Sequence, residues 1–190
     1  MSRGLGDVYK RQFGNRKFHC WKKEGHGYVN LHEAIEKSCD CYFYNLAKTV
    51  KIDDLAKFSN LFSYGQRTGI DIPNELKGIM PDRKWKIKNR NEKWQKGETL
   101  NTVIGQGFML STPLQITLMT ARIATGKKII PTIITNKKEF ENLNISNENL
   151  EFIKSSMFSV VNNSTGTAFN SKLSGLSLIH ISEPTRHRLI

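Results

Sequence analysis

Ser38 and Asp40 stand two residues apart in the run Glu36-Lys37-Ser38-Cys39-Asp40-Cys41. A serine hydroxyl accepts and donates a proton at once, and a carboxylate beside it can hold a substrate N–H or an ammonium group. At a junction between two helices such a pair can serve one substrate, as half of an active site. From this tripeptide alone a plainer reading competes, in which Ser38 ends one helix and Asp40 caps the next. A second constellation overlaps the first: Cys20, His26 and Cys39 supply two thiols and an imidazole, three of the four ligands of a tetrahedral zinc site. A disulfide between Cys20 and Cys39, or buried free thiols, would use the same residues without a metal. Cys41 is expected to face the core as a small apolar group.

The elements that must position these groups are legible in outline. Asn30 or its neighbour caps a short helix, with Leu31, Ala34 and Ile35 at helical spacing and Glu33 in the first turn, and this helix delivers Ser38. A second helix is expected from Asp40 through Val50, capped by Asp40, with Phe43, Leu46 and Ala47 on its buried face. Asp53 to Leu61 reads as a third helix, and Ile70 to Ile72 as a short extended stretch. The basic tract from Pro81 to Gly97 reads as loop with one helical turn. Thr112 caps, and Pro113 opens, an apolar helix that runs to Gly126. Lys128 to Ile134 suits a strand, and Asn149 to Val161 a final amphipathic helix.

The ordered segments Trp21 to Asn30, Ser38-Cys39-Asp40, Tyr64-Gly65, Thr68 to Pro73, Ile104 to Gly107 and Ser111 to Gln115 together resemble the penicillin-binding protein 2 family. These are elongation-type peptidoglycan transpeptidases of Gram-negative bacteria, and the likeness runs from Gly14 to Lys172. It implies an α+β chain, mainly the helical lobe of the penicillin-recognising serine-transferase fold with most of the sheet missing. The family uses Ser-x-x-Lys, Ser-x-Asn or Ser-x-Asp, and Lys-Ser/Thr-Gly; only the second is present, as Ser38 and Asp40. Ser164-Thr165-Gly166 imitates the third but has serine where the family has lysine, and reads as a turn. The chain is expected to be inactive alone, as a fragment of a D,D-transpeptidase that cross-links stem peptides in cell-wall elongation.

The resemblance also implies partners and a metal. Peptidoglycan stem peptides and β-lactam antibiotics are the expected ligands, and an elongation-machinery glycosyltransferase the expected partner. A structural zinc is implied beside the second motif, on His26 and Cys39. Cys20 falls where some members have aspartate, and the fourth ligand falls upstream unless His19 substitutes. Gly105-Gln106-Gly107 is expected to support the cleft. A β-lactamase or penicillin-sensor relative is the alternative enzyme, and a zinc-ordered basic binding module the alternative without catalysis.

The two ends, 1–12 and 176–190, resemble translated sequencing adaptors and are set apart from a partial transpeptidase domain over 13–175. The resemblance implies an inner-membrane parent with a periplasmic domain; no apolar run of about 20 residues appears here. A net charge of +12 and a pI near 9.7 suit an anionic surface or nucleic acid. Much of the charge lies between Arg83 and Lys96, where Trp85 and Trp94 interleave the cations. No nucleic-acid fold signature accompanies them, and a solvated basic segment near an anionic membrane accounts for the tract as well.

Overall fold

The computed structural model describes residues 5–6, 10–13, 16–134 and 139–172. Among these, two short antiparallel ribbons precede seven α-helices. Strand β1 (Leu5–Gly6) pairs with β4 (Tyr28–Val29), and β2 (Lys10–Phe13) pairs with β3 (Arg16–His19), Lys10 opposite His19. The helices are α1 (Leu31–Glu36), α2 (Asp40–Leu46), α3 (Ile52–Ser59), α4 (Arg83–Arg90), α5 (Lys96–Val103), α6 (Pro113–Thr125) and α7 (Asn147–Asn162).

Where the expected boundaries hold, the caps are local. Asn30 accepts from the Glu33 amide and the Glu33 carboxylate accepts from the Asn30 amide, a reciprocal box that starts α1. Thr112 and Gln115 repeat that box at α6 behind Pro113, and Gly126 closes α6 with φ of 67°. Ser146 caps α7 by accepting from the Asn149 amide.

Four expectations are corrected. The basic tract contains a full helix, α4, capped by Asp82, because its middle is fixed by tertiary partners. Lys86 is buried and pairs with Glu98 and Glu92, and Trp85 packs against Phe108 with ring centroids 5.4 Å apart. Both indoles of the tract turn toward the protein, Trp94 donating to Thr99, so the exposed face of α4 is cationic without aromatic rings. Second, α2 stops at Leu46, is preceded by Cys39 at its cap position, and has Asp40 as its first helical residue; Cys41, Tyr44 and Ala47 are its buried side, with Leu46 exposed. Third, Lys128 to Ile134 forms no strand. Its backbone bonds sideways instead: the Ile129 carbonyl accepts from the Arg122 guanidinium, and the Ile133 amide donates to Asp71. Fourth, Ile70 to Ile72 is a bend rather than extended structure.

Two buried polar groups hold the lobe together. Gln115 is fully buried, its amide nitrogen 2.7 to 2.9 Å from the carbonyls of Ser63, Gln66 and Lys77, and so fixes the loops before α4 to α6. Arg122 donates to the carbonyls of Leu61 and Ile129, and burial pulls its pKa down. A core of Phe18, Val29, Ala34, Cys41, Tyr44 and Leu100 lies beneath the α1–α2 junction, with Phe18 set edge-on to Tyr44. Apolar surface remains outside: Phe58, Phe152, Phe158, Ile133 and Ile134 are all exposed.

Candidate active site and metal cluster

Helix α1 ends in a Schellman turn. The Ser38 amide donates to the Ile35 carbonyl at 3.2 Å and the Cys39 amide to the Ala34 carbonyl at 2.8 Å, which satisfies two orphan carbonyls of the last turn. That turn requires a left-handed residue at its centre, and Ser38 takes it with φ of 50°. Glycine is the ordinary occupant, because a Cβ there costs about 1–2 kcal/mol. The strain turns the Ser38 side chain outward at the helix junction, beside Asp40 at the start of α2. Both residues border an open cleft of about 350 Å³ that Ile35, Phe43, Val103 and Ile104 also line.

Two segments converge on this turn. The Ser38 hydroxyl shares a 3.0 Å hydrogen bond with the Thr167 hydroxyl. The Trp21 indole N–H points at the carbonyls of Lys37 and Ser38, 3.1 and 2.9 Å away, capping the end of α1. The Trp21 amide donates to an Asp40 carboxylate oxygen at 3.1 Å. Neither Trp21 nor Thr167 was evident as part of the site from sequence. Trp21 adjoins Cys20 in the lead-in segment, and Thr167 lies just past the Ser164-Thr165-Gly166 turn; those positions are the only local signals. Ser164 is exposed, and Thr165 donates to Glu36.

The second constellation is assembled as a cluster. Ligand atoms of Cys20, His26 and Cys39 lie within 4.8 Å of one another, with Cys20 and Cys39 buried and His26 half-buried. Cys20 Sγ is 3.4 Å from His26 Nδ1. A tetrahedral zinc with Zn–S of about 2.3 Å and Zn–N of about 2.0 Å places neighbouring ligand atoms roughly 3.5 Å apart, so this donor set fits such an ion with modest adjustment. The cluster contains those three residues; His19, exposed on β3, is not among them. Cys39 is the residue that closes the Schellman turn, which joins the cluster covalently to Ser38 and Asp40.

Helix α5 ends beside the cleft in Gly105-Gln106-Gly107. Gly105 is left-handed, with φ of 75°, and the amides of Gly105 and Gln106 donate to the carbonyls of Thr102 and Asn101. The segment is a helix stop, and Gln106 points to solvent.

A family sequence model described as the penicillin binding protein transpeptidase domain matches residues 7–178. The chain is 38% identical over 172 residues to the peptidoglycan D,D-transpeptidase MrdA of Acinetobacter baumannii, covering 84% of this chain and 26% of that protein. Among solved structures it superposes on penicillin-binding protein 2 of Helicobacter pylori in complex with MreC, with a TM-score of 0.84 and 39% identity, over 90% of this chain and 33% of that one. It also superposes on penicillin-binding protein 2 of Pseudomonas aeruginosa in complex with WCK 5153, with a TM-score of 0.79 and 35% identity, over 87% of this chain and 39% of that one. The chain thus spans about a quarter to two-fifths of these three relatives. With most of its length inside the matched region and its helices in the same arrangement, the chain belongs to the penicillin-binding protein transpeptidase domain family, as part of its helical lobe.

Proposed function

We propose that this chain is the central part of a peptidoglycan D,D-transpeptidase acting in cell-wall elongation, anchored in the inner membrane with its catalytic domain in the periplasm. No helix among the described residues is long and apolar enough to cross a membrane, and the anchor is assigned to the remainder of the parent protein. The observation that carries the functional reading is the left-handed Ser38, a strained non-glycine residue whose hydroxyl borders the cleft beside Asp40.

The reaction is a serine acyl transfer. A serine supplied by the parent attacks the penultimate D-alanine carbonyl of a stem peptide; the C–N bond breaks, terminal D-alanine leaves with a proton, and an acyl-enzyme remains. The amine of a neighbouring stem peptide then attacks the ester, transferring the acyl group and returning the proton to the serine. Ser38 accepts a proton from the catalytic base and donates its own to the departing nitrogen, so that one hydroxyl relays charge without holding it. Asp40 accepts hydrogen bonds from the substrate backbone or from the catalytic lysine. β-Lactams enter as acylating analogues of the same peptide. A glycosyltransferase of the elongation machinery, and a scaffold like the MreC in the Helicobacter pylori complex, are the protein partners.

Cys20, His26 and Cys39 would hold a zinc ion, whose contribution is structural, linking metal affinity to order of the turn that bears Ser38. Trp21 then carries that order directly to the carbonyls of Lys37 and Ser38.

Covalent labelling of the full-length parent by a fluorescent penicillin tests the enzyme reading. The wild type is expected to be labelled, and Ser38→Ala to be labelled at least about a hundredfold more slowly, the scale of a lost proton relay, with unchanged thermal stability. Full-length protein that is never acylated would overturn the reading. Stoichiometric zinc, lost in Cys20→Ala and His26→Ala, is the expectation for the cluster.

A further inference from the structure

We propose that Glu36 is a positioning residue for Ser38: its buried carboxylate clamps the 163–167 loop to the end of α1 and thereby places the Thr167 hydroxyl on the Ser38 hydroxyl. The inference rests on the transpeptidase reading of Ser38.

Glu36 is only 4% exposed. A carboxylate at that depth is unfavourable unless its oxygens are satisfied, and here both are taken by one loop. Asn163 donates its side-chain N–H to Oε2 at 2.9 Å, and the Thr165 hydroxyl donates to Oε1. The Glu36 backbone carbonyl accepts from the Thr167 amide at 3.2 Å. One residue therefore makes three bonds to the loop, and the next side chain along, Thr167, meets Ser38 at 3.0 Å.

The loop is pressed from its other side as well. A Cβ on Gly166 would overlap the carbonyl oxygens of Ser159 and Val160 at the end of α7, so the backbone there has no slack. Helix α7 is itself tied to α1 through His32, whose ring nitrogens lie 3.1 Å from the Ser156 hydroxyl and 2.9 Å from that of Ser159. The α1–α7 contact through His32 does not use the Glu36 carboxylate. What the carboxylate adds is a fixed register for Asn163, Thr165 and Thr167 relative to Ser38.

The groups facing Glu36 are Asn163 and Thr165 from the loop, His32 at 4.0 Å on α1, and Lys37 beside it. Burial pushes the carboxyl upward, but the hydrogen bonds from Thr165 and Asn163, with the positive fields of Lys37 and His32, outweigh it and hold it below the ordinary glutamate value. The folded-state pKa is depressed, so the clamp is fully present above the unfolded value and is released as pH falls through the folded one.

Amide hydrogen exchange on the 190-residue chain tests the clamp. In the wild type, protection of the Thr167 amide is expected to fall as pH drops below the ordinary glutamate value and through the depressed titration of Glu36. Glu36→Ala should speed Thr167 exchange at least about tenfold while Cys39, within the Schellman turn, keeps its protection. Glu36→Gln should restore protection, since the Asn163 amide can turn to present its oxygen, and should remove the pH dependence. Equal Thr167 protection in wild type and Glu36→Ala would overturn the inference. If Glu36→Ala does not fold, the comparison of wild type with Glu36→Gln across pH decides, and identical profiles would overturn it.

Penicillin acylation of the full-length parent supplies the functional readout: slower in Glu36→Ala, rescued in Glu36→Gln. Acylation unaffected in Glu36→Ala sinks the inference and leaves the transpeptidase reading standing. A parent that no penicillin acylates sinks the transpeptidase reading, and with it any catalytic role for the clamp.

Discussion

Helices α1 and α5 end in the same Schellman hydrogen-bond pattern on opposite sides of one cleft, yet their central residues differ. At α5 the left-handed position is Gly105, with open space around it and an exposed Gln106 after it. At α1 it is Ser38, and the residue that closes the turn is the buried Cys39. The α5 end follows the usual preference for glycine, and the two residues that form its turn, Gly105 and Gln106, are exposed. The α1 end departs from it and is braced by the Trp21 indole, the thiol and imidazole cluster and the 163–167 loop. A strained side chain persists where its surroundings over-determine it, and at α1 the indole, the cluster and the loop are those surroundings.

The largest break in that comparison should come from Cys39→Ala. It removes one thiol of the cluster proposed to hold zinc, a fully buried side chain at the closing position of the strained turn. Loss of a metal site is among the few single changes that cost about 4 kcal/mol or more. For a chain of this size that corresponds to a fall in Tm of roughly 8–16 °C. Calorimetry with and without added zinc measures it, and a Cys39→Ala protein whose Tm and response to zinc equal those of the wild type would refute the bracing.

Exchanging the central residues should give changes of opposite sign. Ser38→Gly relieves the left-handed Cβ and is expected to raise stability by about 1 kcal/mol, or Tm by about 2–4 °C, while slowing penicillin acylation of the parent. Gly105→Ser introduces the same strain at the unbraced end. Nothing lies within 4 Å of a Cβ placed there, so its loss should be close to the backbone term alone, again about 1 kcal/mol. If both substitutions destabilise, the Ser38 hydroxyl is itself a stabilising contact, and the stability–function reading of the turn fails.

What was legible in the sequence follows the range of the interactions. Helices α1 and α6 were readable because Asn30 with Glu33, Thr112 with Gln115, and the Pro113 start are signals written within a few residues. Helix α4 was not, because its lysine-rich sequence is stabilised by the distant burial of Lys86 against Glu98 and of Trp85 against Phe108. The Ile and Thr content of Lys128 to Ile134 imitates a strand, but Arg122 and Asp71 take its backbone groups first. At the site, motif and spacing singled out Ser38, Asp40, Cys20, His26 and Cys39. Trp21, Glu36 and Thr167 escaped, since hydrogen bonds spanning 16 to 129 residues leave no local pattern.

Trp21→Phe should weaken the α1 end more gently. Phenylalanine keeps a ring near His26, now edge-on to the indole at 5.3 Å, but deletes the N–H that reaches two helix-end carbonyls. With the side chain largely exposed, water replaces part of that bond, and the expected cost is about 0.5–1 kcal/mol by denaturant titration.

The smallest effect belongs to Gln106→Ala, the α5 counterpart of Cys39→Ala. Gln106 closes its turn through the backbone amide, which the substitution leaves in place, and its side chain is exposed. A surface change of this kind falls within about 0.5 kcal/mol of zero. Measured beside Cys39→Ala in the same chain, it compares identical backbone positions that differ only in what surrounds them. A loss for Gln106→Ala approaching that of Cys39→Ala would mean that both ends are braced, and Ser38 could no longer be distinguished from an ordinary helix stop by its surroundings.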